Sequence, residues 1–196
     1  MSKFFVHEKG ICESNTIGEG TRIWAFSHVQ SNVTIGSGCN LGEHVFVESG
    51  VQIGNGCTIK NGVAIWNQVT LEDDVFVGPY VVFTNDITPR AFIKRGVAFY
   101  RPVTIGKGAT LGANSTIVCG YNVGKYALVG AGAVVVSDIP DHGLVVGNPG
   151  RVIGRVCFCG SRLDPKDYCS ACQLPLQENS PDKAKDAVLA LARAAG

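Results

Sequence analysis

The chain has 196 residues, 45% of them hydrophobic and 17% charged, with a formal net charge of +1. That composition can bury one main core with a small appendage. A balance so near neutral gives no electrostatic case for a nucleic-acid partner. No apolar run reaches the about eighteen residues a membrane span needs, and the opening MSKFFVHEKG lacks the apolar core of a secretory leader. The expectation is a soluble cytoplasmic protein without a membrane partner, whose eight cysteines stay reduced or bind metal.

From the start of the chain a large apolar residue recurs at every sixth position: Phe5, Ile11, Ile17, Ile23, Val29, Ile35, Leu41, Val47, Ile53, Ile59, Ile65, Leu71, Val77 and Phe83. A small or β-branched residue often stands two positions earlier, as at Val33, Cys39, Val51, Cys57 and Val69. Glycine often follows the large residue directly. The ladder lapses after Phe83 and resumes with Ile105, Leu111, Ile117, Val123, Val129 and Val135. A period of six fits neither a helix nor simple strand alternation. It fits an all-β, parallel β-helix of hexapeptide repeats, with the large aliphatic inside and glycine at the tight turns.

The recurring [LIV]-G-x-x-[small]-x resembles the left-handed β-helix hexapeptide acyltransferases over residues 5–155. The resemblance implies triangular coils of three hexads, a homotrimer and active sites in the clefts between subunits. Residues eighteen apart then stack. One edge reads Gln30, Glu48, Trp66, Thr84, with Ser31, Ser49, Asn67 and Asn85 beside it. This polar, aromatic edge leads into the interruption and reads as a pocket wall, although a turn-capping ladder accounts for Asn67 equally well. The interruption, residues 86–104, carries Arg90, Lys94, Arg95 and Arg101 with Phe92, Phe99 and Tyr100. Long irregular loops in a compact repeat are more often functional than decorative. Cations among aromatics suit a phosphorylated ligand with a flat base.

A narrower resemblance rests on IWAFSHV, LEDDVFVGPYVVFTND, the Pro89-Arg90 pair and GNPGRVIG. These blocks are similar to nucleotide-sugar N-acetyltransferases, nearest to those that acetylate the 3-amino group of UDP-2-acetamido-3-amino-2,3-dideoxy-glucuronic acid for bacterial surface polysaccharide such as O-antigen. The resemblance implies acetyl-coenzyme A as co-substrate and favours a UDP-linked amino sugar. Another nucleotide sugar, such as a dTDP-3-amino-hexose, stays open. Asn67 stands where many relatives carry Glu, so a strong side-chain base is expected to be dispensable. Asn85 could aim the amine, with Asn67 and His28 as further catalytic candidates. Glu48, Lys60, Trp66, Thr84, Asp86, Arg90, Lys94 and Arg101 are the substrate candidates, Lys60 because it fills a slot where many hexads have glycine. His28, stacked above Phe46, Ala64 and Val82, reads more readily as a packed histidine. It is the base an O-acetyltransferase would need. A zinc carbonic anhydrase of this fold is disfavoured by the spacing of His7, His28, His44 and His142, and a non-catalytic assembly module by the basic loop.

For the coenzyme, the resemblance points to the later coils. Ala113, Gly130 and Ala131 permit close approach, and Lys125, Asn148, Arg151 and Arg155 could meet its phosphates. The alternative makes GNPG a plain exit turn. After this β-helix domain, 1–155, the segment 156–178 pairs Cys157-x-Cys159 with Cys169-x-x-Cys172, a zinc-ribbon-like spacing that suggests a structural metal or, failing that, reduced thiols. The tail 179–196 offers Ser180 as N-cap and Pro181 at N1 of a short helix.

Overall fold

The structure is a computed structural model and describes residues 4–194. The outermost residues of the expected first and last segments, 1–3 and 195–196, lie outside the described residues. Strands of mostly two residues stack into three parallel walls, a nine-stranded, a seven-stranded and a five-stranded sheet. The chain visits the walls in turn, as in Arg22–Ile23, His28–Val29 and Thr34–Ile35. Each coil lies on the next: Ile23 pairs with Leu41, Val29 with Val47 and Ile35 with Ile53. The hexad ladder fills the interior. From Ile23 to Val135 its members are at most 3% exposed, and burying each such side chain stabilises the fold by about 1.5–3 kcal/mol.

The coils are joined in both directions. Strand amides donate to the coil that follows, as Trp24 N–H does to the Leu41 carbonyl at 3.0 Å and Lys60 N–H to Val77 at 2.9 Å. Corner residues with positive φ turn their amides the other way. Gly56 (φ +68°) donates to the Ser37 carbonyl at 2.8 Å, and Tyr80 (φ +57°) to Asn61 at 3.0 Å.

The first coil departs from the sixfold ladder. Phe5 pairs with Arg22 and Ile11 with His28, so Val6 and Cys12 occupy the interior slots. Phe5 is 45% exposed and Ile11 55% exposed. Only five positions separate Cys12 from Ile17. Because successive strand residues face opposite sides, that one-residue shortening reverses which residue points inward. Ser14 takes the buried slot of this shortened hexad and donates from Oγ to the Val33 carbonyl at 2.6 Å.

After Val82–Phe83 the chain leaves the helix and re-enters at Val103–Ile105, where Thr70 pairs directly with Thr104. The last coil ends in Gly143–Val146, which folds back antiparallel onto Arg151–Arg155. A two-stranded ribbon, Tyr168–Cys169 with Leu174–Pro175, and a helix, Pro181–Ala194, complete the chain. Ser180 Oγ accepts the Lys183 N–H at 3.2 Å, which is the expected N-cap. No helix among the described residues is long and apolar enough to cross a membrane.

One corner column requires glycine for space. A Cβ on Gly36 would stand 2.6 Å from the Gly54 carbonyl carbon and 2.7 Å from the Asn55 nitrogen of the next coil. Those neighbours are backbone and cannot swing aside. Gly36→Ala is therefore expected to cost about 1–3 kcal/mol and to lower the thermal midpoint, while a substitution at Gly38, which has open space around it, should differ mainly through its positive φ. An unchanged midpoint in Gly36→Ala would show that the coils can separate.

Candidate functional site

The polar edge singled out in the sequence turns out to be a capping ladder. Ser49 N–H donates to Gln30 Oε1 at 2.9 Å, and Asn67 N–H to Glu48 Oε2 at 2.7 Å. Asn67 Nδ2 donates to the Ser49 carbonyl at 2.5 Å. Thr84 Oγ1 accepts the Cys119 N–H at 2.9 Å, and the Trp66 indole donates to the Phe83 carbonyl at 2.9 Å. Glu48, Trp66, Asn67 and Thr84 thus each have a polar group committed to the backbone of a neighbouring coil. The corner of Gly18, Gly36 and Gly54 has a similar ladder beside it. Ser37 N–H donates to Asn55 Oδ1 and Asn55 N–H to Asp73 Oδ1. That last bond holds the Asp73 carboxyl below the usual carboxylate range.

Asn85 differs. Its backbone carbonyl accepts the Arg101 N–H at 3.1 Å, closing the base of the loop. Its side-chain amide makes no hydrogen bond among the described residues and lines a cavity of about 350 Å³. Asp86, Arg90, Lys94, Arg95 and Tyr100 line the same cavity. The loop is built around Asp86 and Arg95. Asp86 Oδ1 caps the Thr88 N–H at 2.8 Å, an Asx turn. Arg95 Nη1 donates to Thr88 Oγ1 at 2.6 Å and lies 3.6 Å from Asp86 Oδ1. Its guanidinium also sits 5.3 Å from the Phe99 ring centroid, a cation–π distance. Gln68 Nε2 ties the loop to the preceding coil through the Val97 carbonyl at 3.3 Å. Arg90 and Lys94 are exposed and form no ion pair among the described residues, so their charge is available to a ligand.

The remaining candidates fall elsewhere. Arg101 is exposed and lays its stem against Gly120 of the adjacent coil. Lys60 follows a strand of the nine-stranded wall, whereas Asn85 follows one of the seven-stranded wall, so one protomer does not bring them to the same corner. His28 stacks over Phe46, Ala64 and Val82 as expected. That puts it three strands, about 14 Å, from the loop. Its Nε2 lies 3.0 Å from Glu13 Oε1, and this contact, with the Ser31 N–H, lowers the Glu13 pKa. Arg95 carries no distinguishing spacing of its own. Only the positions of Thr88, Asp86 and Phe99 reveal its part.

At the far end, Ala113, Gly130 and Ala131 share one corner in successive coils, and Gly132 N–H donates to the Ala113 carbonyl at 2.9 Å. The GNPG turn docks on the seven-stranded wall. Val134 N–H donates to the Gly147 carbonyl at 3.0 Å, and Gly150 N–H to that of Val134 at 2.7 Å. Asn148, before a cis proline, and Arg151 are exposed beside it. Lys125 lies on another corner, its backbone N–H held by Asp141 Oδ1 at 2.7 Å. The Arg155 guanidinium is paired with Asp167 of the appendage. In the appendage the sulfurs of Cys157, Cys159, Cys169 and Cys172 all lie within 4.8 Å of one another.

Comparisons with known proteins follow this geometry. The family model described as bacterial transferase hexapeptide (six repeats) matches residues 16–49 and 50–85, and that described as the hexapeptide repeat of succinyl-transferase matches 102–137. The matched ranges thus stop and resume on either side of the loop. The chain is 50% identical over 169 residues, 86% of its length and 87% of the relative's, to the dTDP-3-amino-3,6-dideoxy-alpha-D-galactopyranose 3-N-acetyltransferase of Aneurinibacillus thermoaerophilus. A hexapeptide-repeat-containing acetyltransferase of Vibrio cholerae O1 biovar eltor, solved with acetyl coenzyme A, is similar with a TM-score of 0.50 and 25% identity, covering 59% of this chain and 69% of that one. A hexapeptide transferase family protein of Anaplasma phagocytophilum shares the fold, with a TM-score of 0.53 at 13% identity over 97% and 92% of the two chains.

The two asparagines separate by experiment. Asn67→Ala strands the Ser49 carbonyl and should cost about 1 kcal/mol, whereas Asn85→Ala should stay within about 0.5 kcal/mol of the parent. Thermal unfolding of both variants measures this, and equal losses would contradict the distinction.

Proposed function

The chain belongs to the hexapeptide-repeat acyltransferases, and we propose that it moves the acetyl group of acetyl-coenzyme A to the 3-amino group of a dTDP-linked 3-amino-deoxyhexose. The observation that carries this reading is the loop cavity. A free amide at Asn85 faces a space bordered by two unpaired cations, Arg90 and Lys94, on a chain 50% identical to a dTDP-3-amino-sugar 3-N-acetyltransferase over 86% of its length. The dTDP alternative is better supported than the UDP-linked uronic acid. That support is the relative at 50% identity, whose named sugar is a 3,6-dideoxy sugar and so carries no C6 carboxylate.

The chemistry asks little of the protein beyond positioning. A sugar amine flanked by electron-withdrawing oxygens is a weaker base than a lysine amine, so an appreciable fraction is neutral near pH 7. The Asn85 amide oxygen accepts one amine N–H and aims the nitrogen lone pair at the thioester carbonyl. The C–N bond forms, a backbone N–H in the cleft stabilises the oxyanion, and the C–S bond breaks. The leaving coenzyme thiolate takes up the proton that the amine gives away. No side-chain base is required, which accommodates Asn67 where relatives carry Glu and leaves His28 to its contact with Glu13. Arg90 and Lys94 meet the nucleotide diphosphate, while Asp86 and Arg95 hold the loop in shape.

The coenzyme lies along the corner of Ala113, Gly130 and Ala131, with Asn148 and Arg151 at its phosphates. Phe92, 83% exposed, with Val97 and Phe99, 60% and 58% exposed, gives the loop an apolar flank that a second copy of the chain would cover. We place the active sites of a homotrimer at those junctions.

Thiol release from acetyl-coenzyme A tests the reading against dTDP-3-amino-3,6-dideoxyhexose and the UDP-3-amino uronic acid. The dTDP sugar should be turned over with kcat/KM at least about tenfold higher. Asn85→Ala should lower kcat about 10²-fold through a misplaced amine. Preference for the uronic acid would overturn the sugar assignment, and release from neither would overturn the reaction.

A further inference from the structure

We propose that Cys157, Cys159, Cys169 and Cys172 form a tetrathiolate site for one zinc ion, and that this site fastens the C-terminal segment to the flank of the later coils. The inference does not depend on the sugar acetylated. The geometry suits the metal. A regular tetrahedron with Zn–S bonds of about 2.3 Å has sulfur–sulfur edges of about 3.8 Å. Here Cys157 Sγ and Cys172 Sγ are 3.8 Å apart, and Cys159 Sγ and Cys169 Sγ 3.6 Å. Four soft donors with no carboxylate among them, three buried and Cys159 half-buried, select zinc over the hard divalent cations.

The surroundings are those a charged metal–thiolate centre needs. Asn179 Nδ2 points at Cys157 Sγ from 3.1 Å, and the Cys172 N–H at Cys169 Sγ from 3.4 Å. Such N–H donors orient the sulfurs and offset the negative charge that four thiolates place around a dication. Each pair sits on a tight turn. Gly160, at φ +85°, donates to the Cys157 carbonyl at 2.9 Å, and Gln173 follows the second pair at φ +57°. Binding releases the thiol protons to solvent and forms four Zn–S bonds, with no change of oxidation state.

The second argument is the poverty of the local core. The buried residues of this cluster are Cys157, Leu163, Cys169, Cys172 and Ala184, so the would-be ligands make up most of it. A segment this small cannot hold its shape by apolar burial and needs a staple. Nor is the segment detached. Val156 N–H donates to the His142 carbonyl at 2.8 Å, and Phe158 stands edge-on to both Tyr126 and His142 at 4.7 Å. Leu163 N–H donates to the Arg155 carbonyl at 2.9 Å, and Ala184 brings the terminal helix into the same cluster. The metal would thereby fasten ribbon and helix to one another and to the Arg151–Arg155 strand, beside Tyr126 and His142 of the later coils.

The test is metal analysis of the full chain purified without chelator. About one zinc per chain is expected, released together with four titratable thiols by a mercurial. Cobalt reconstitution should give the intense thiolate-to-metal absorption and the d–d bands of a tetrahedral site. Chelation should lower the thermal midpoint and leave the β-sheet circular dichroism in place. Cys169→Ser should lose the zinc and Cys12→Ser should keep it; the cobalt spectrum of the parent decides the matter if the first variant does not fold. Background zinc in a natively folded chain supplied with the metal, two disulfides found by peptide mapping, or iron in place of zinc would each overturn the proposal.

Discussion

Every coil of this protein is bound to its neighbours through backbone amides, upward from the strands and downward from the corners, and that double ladder fixes which residues can share a surface. Stacking this close leaves no room for Cβ at corners such as Gly36 and Gly54, where the next coil's backbone lies 2.6–2.7 Å from where it would sit. The interior is satisfied almost completely by one aliphatic column per wall. Among the described residues a single buried side-chain polar atom, Ser115 Oγ, lacks a hydrogen-bond partner. A scaffold held in this way is stiff, and polar side chains such as Gln30, Glu48, Asn55, Asn67 and Asp73 are bonded to the backbone of its corners.

That bonding explains where chemistry can reside. On a corner ladder an amide is used up, as Asn67 is by the Ser49 carbonyl and Glu48 by the Asn67 N–H. A free polar group is found where the ladder is broken. Asn85 stands at the break, still anchored through its carbonyl to Arg101 but with its side chain released. The loop beyond it is ordered by its own small set of contacts, Asp86 to Thr88 and Arg95 to Thr88 and Phe99. Rigid wall and separately built loop divide the work. In the proposed function the wall offers small residues along a corner to an extended coenzyme, and the loop offers cations and an amide to the sugar nucleotide.

The sixfold period made the walls, the core and the interruption legible from the amino-acid sequence, because one spacing governs all three. It misled at Phe5 and Ile11, since a ladder of large residues can continue by chance across a one-residue shortening that reverses the strand faces. Column stacking predicted that Asn67 and Asn85 would be neighbours in kind, but it could not say whether an amide is satisfied. That depends on the presence of another coil's carbonyl. Arg95 was indistinguishable from three other cations of the loop, and the pairing of Arg155 with Asp167 was not foreseen because Asp167 belongs to a fold-back that no periodicity announces. The convergence of the two cysteine pairs was legible because their spacing is local.

In the proposed function the loop supplies sugar recognition and the β-helix supplies the coenzyme rail. Excision of 88–99 with a short glycine-serine closure tests it most directly, with circular dichroism, acetyl-coenzyme A binding and turnover measured on the same preparation. An intact β-sheet spectrum, coenzyme affinity close to that of the parent, and no acetylation of the dTDP-3-amino sugar are expected. Undiminished turnover by the shortened chain would contradict that division of work.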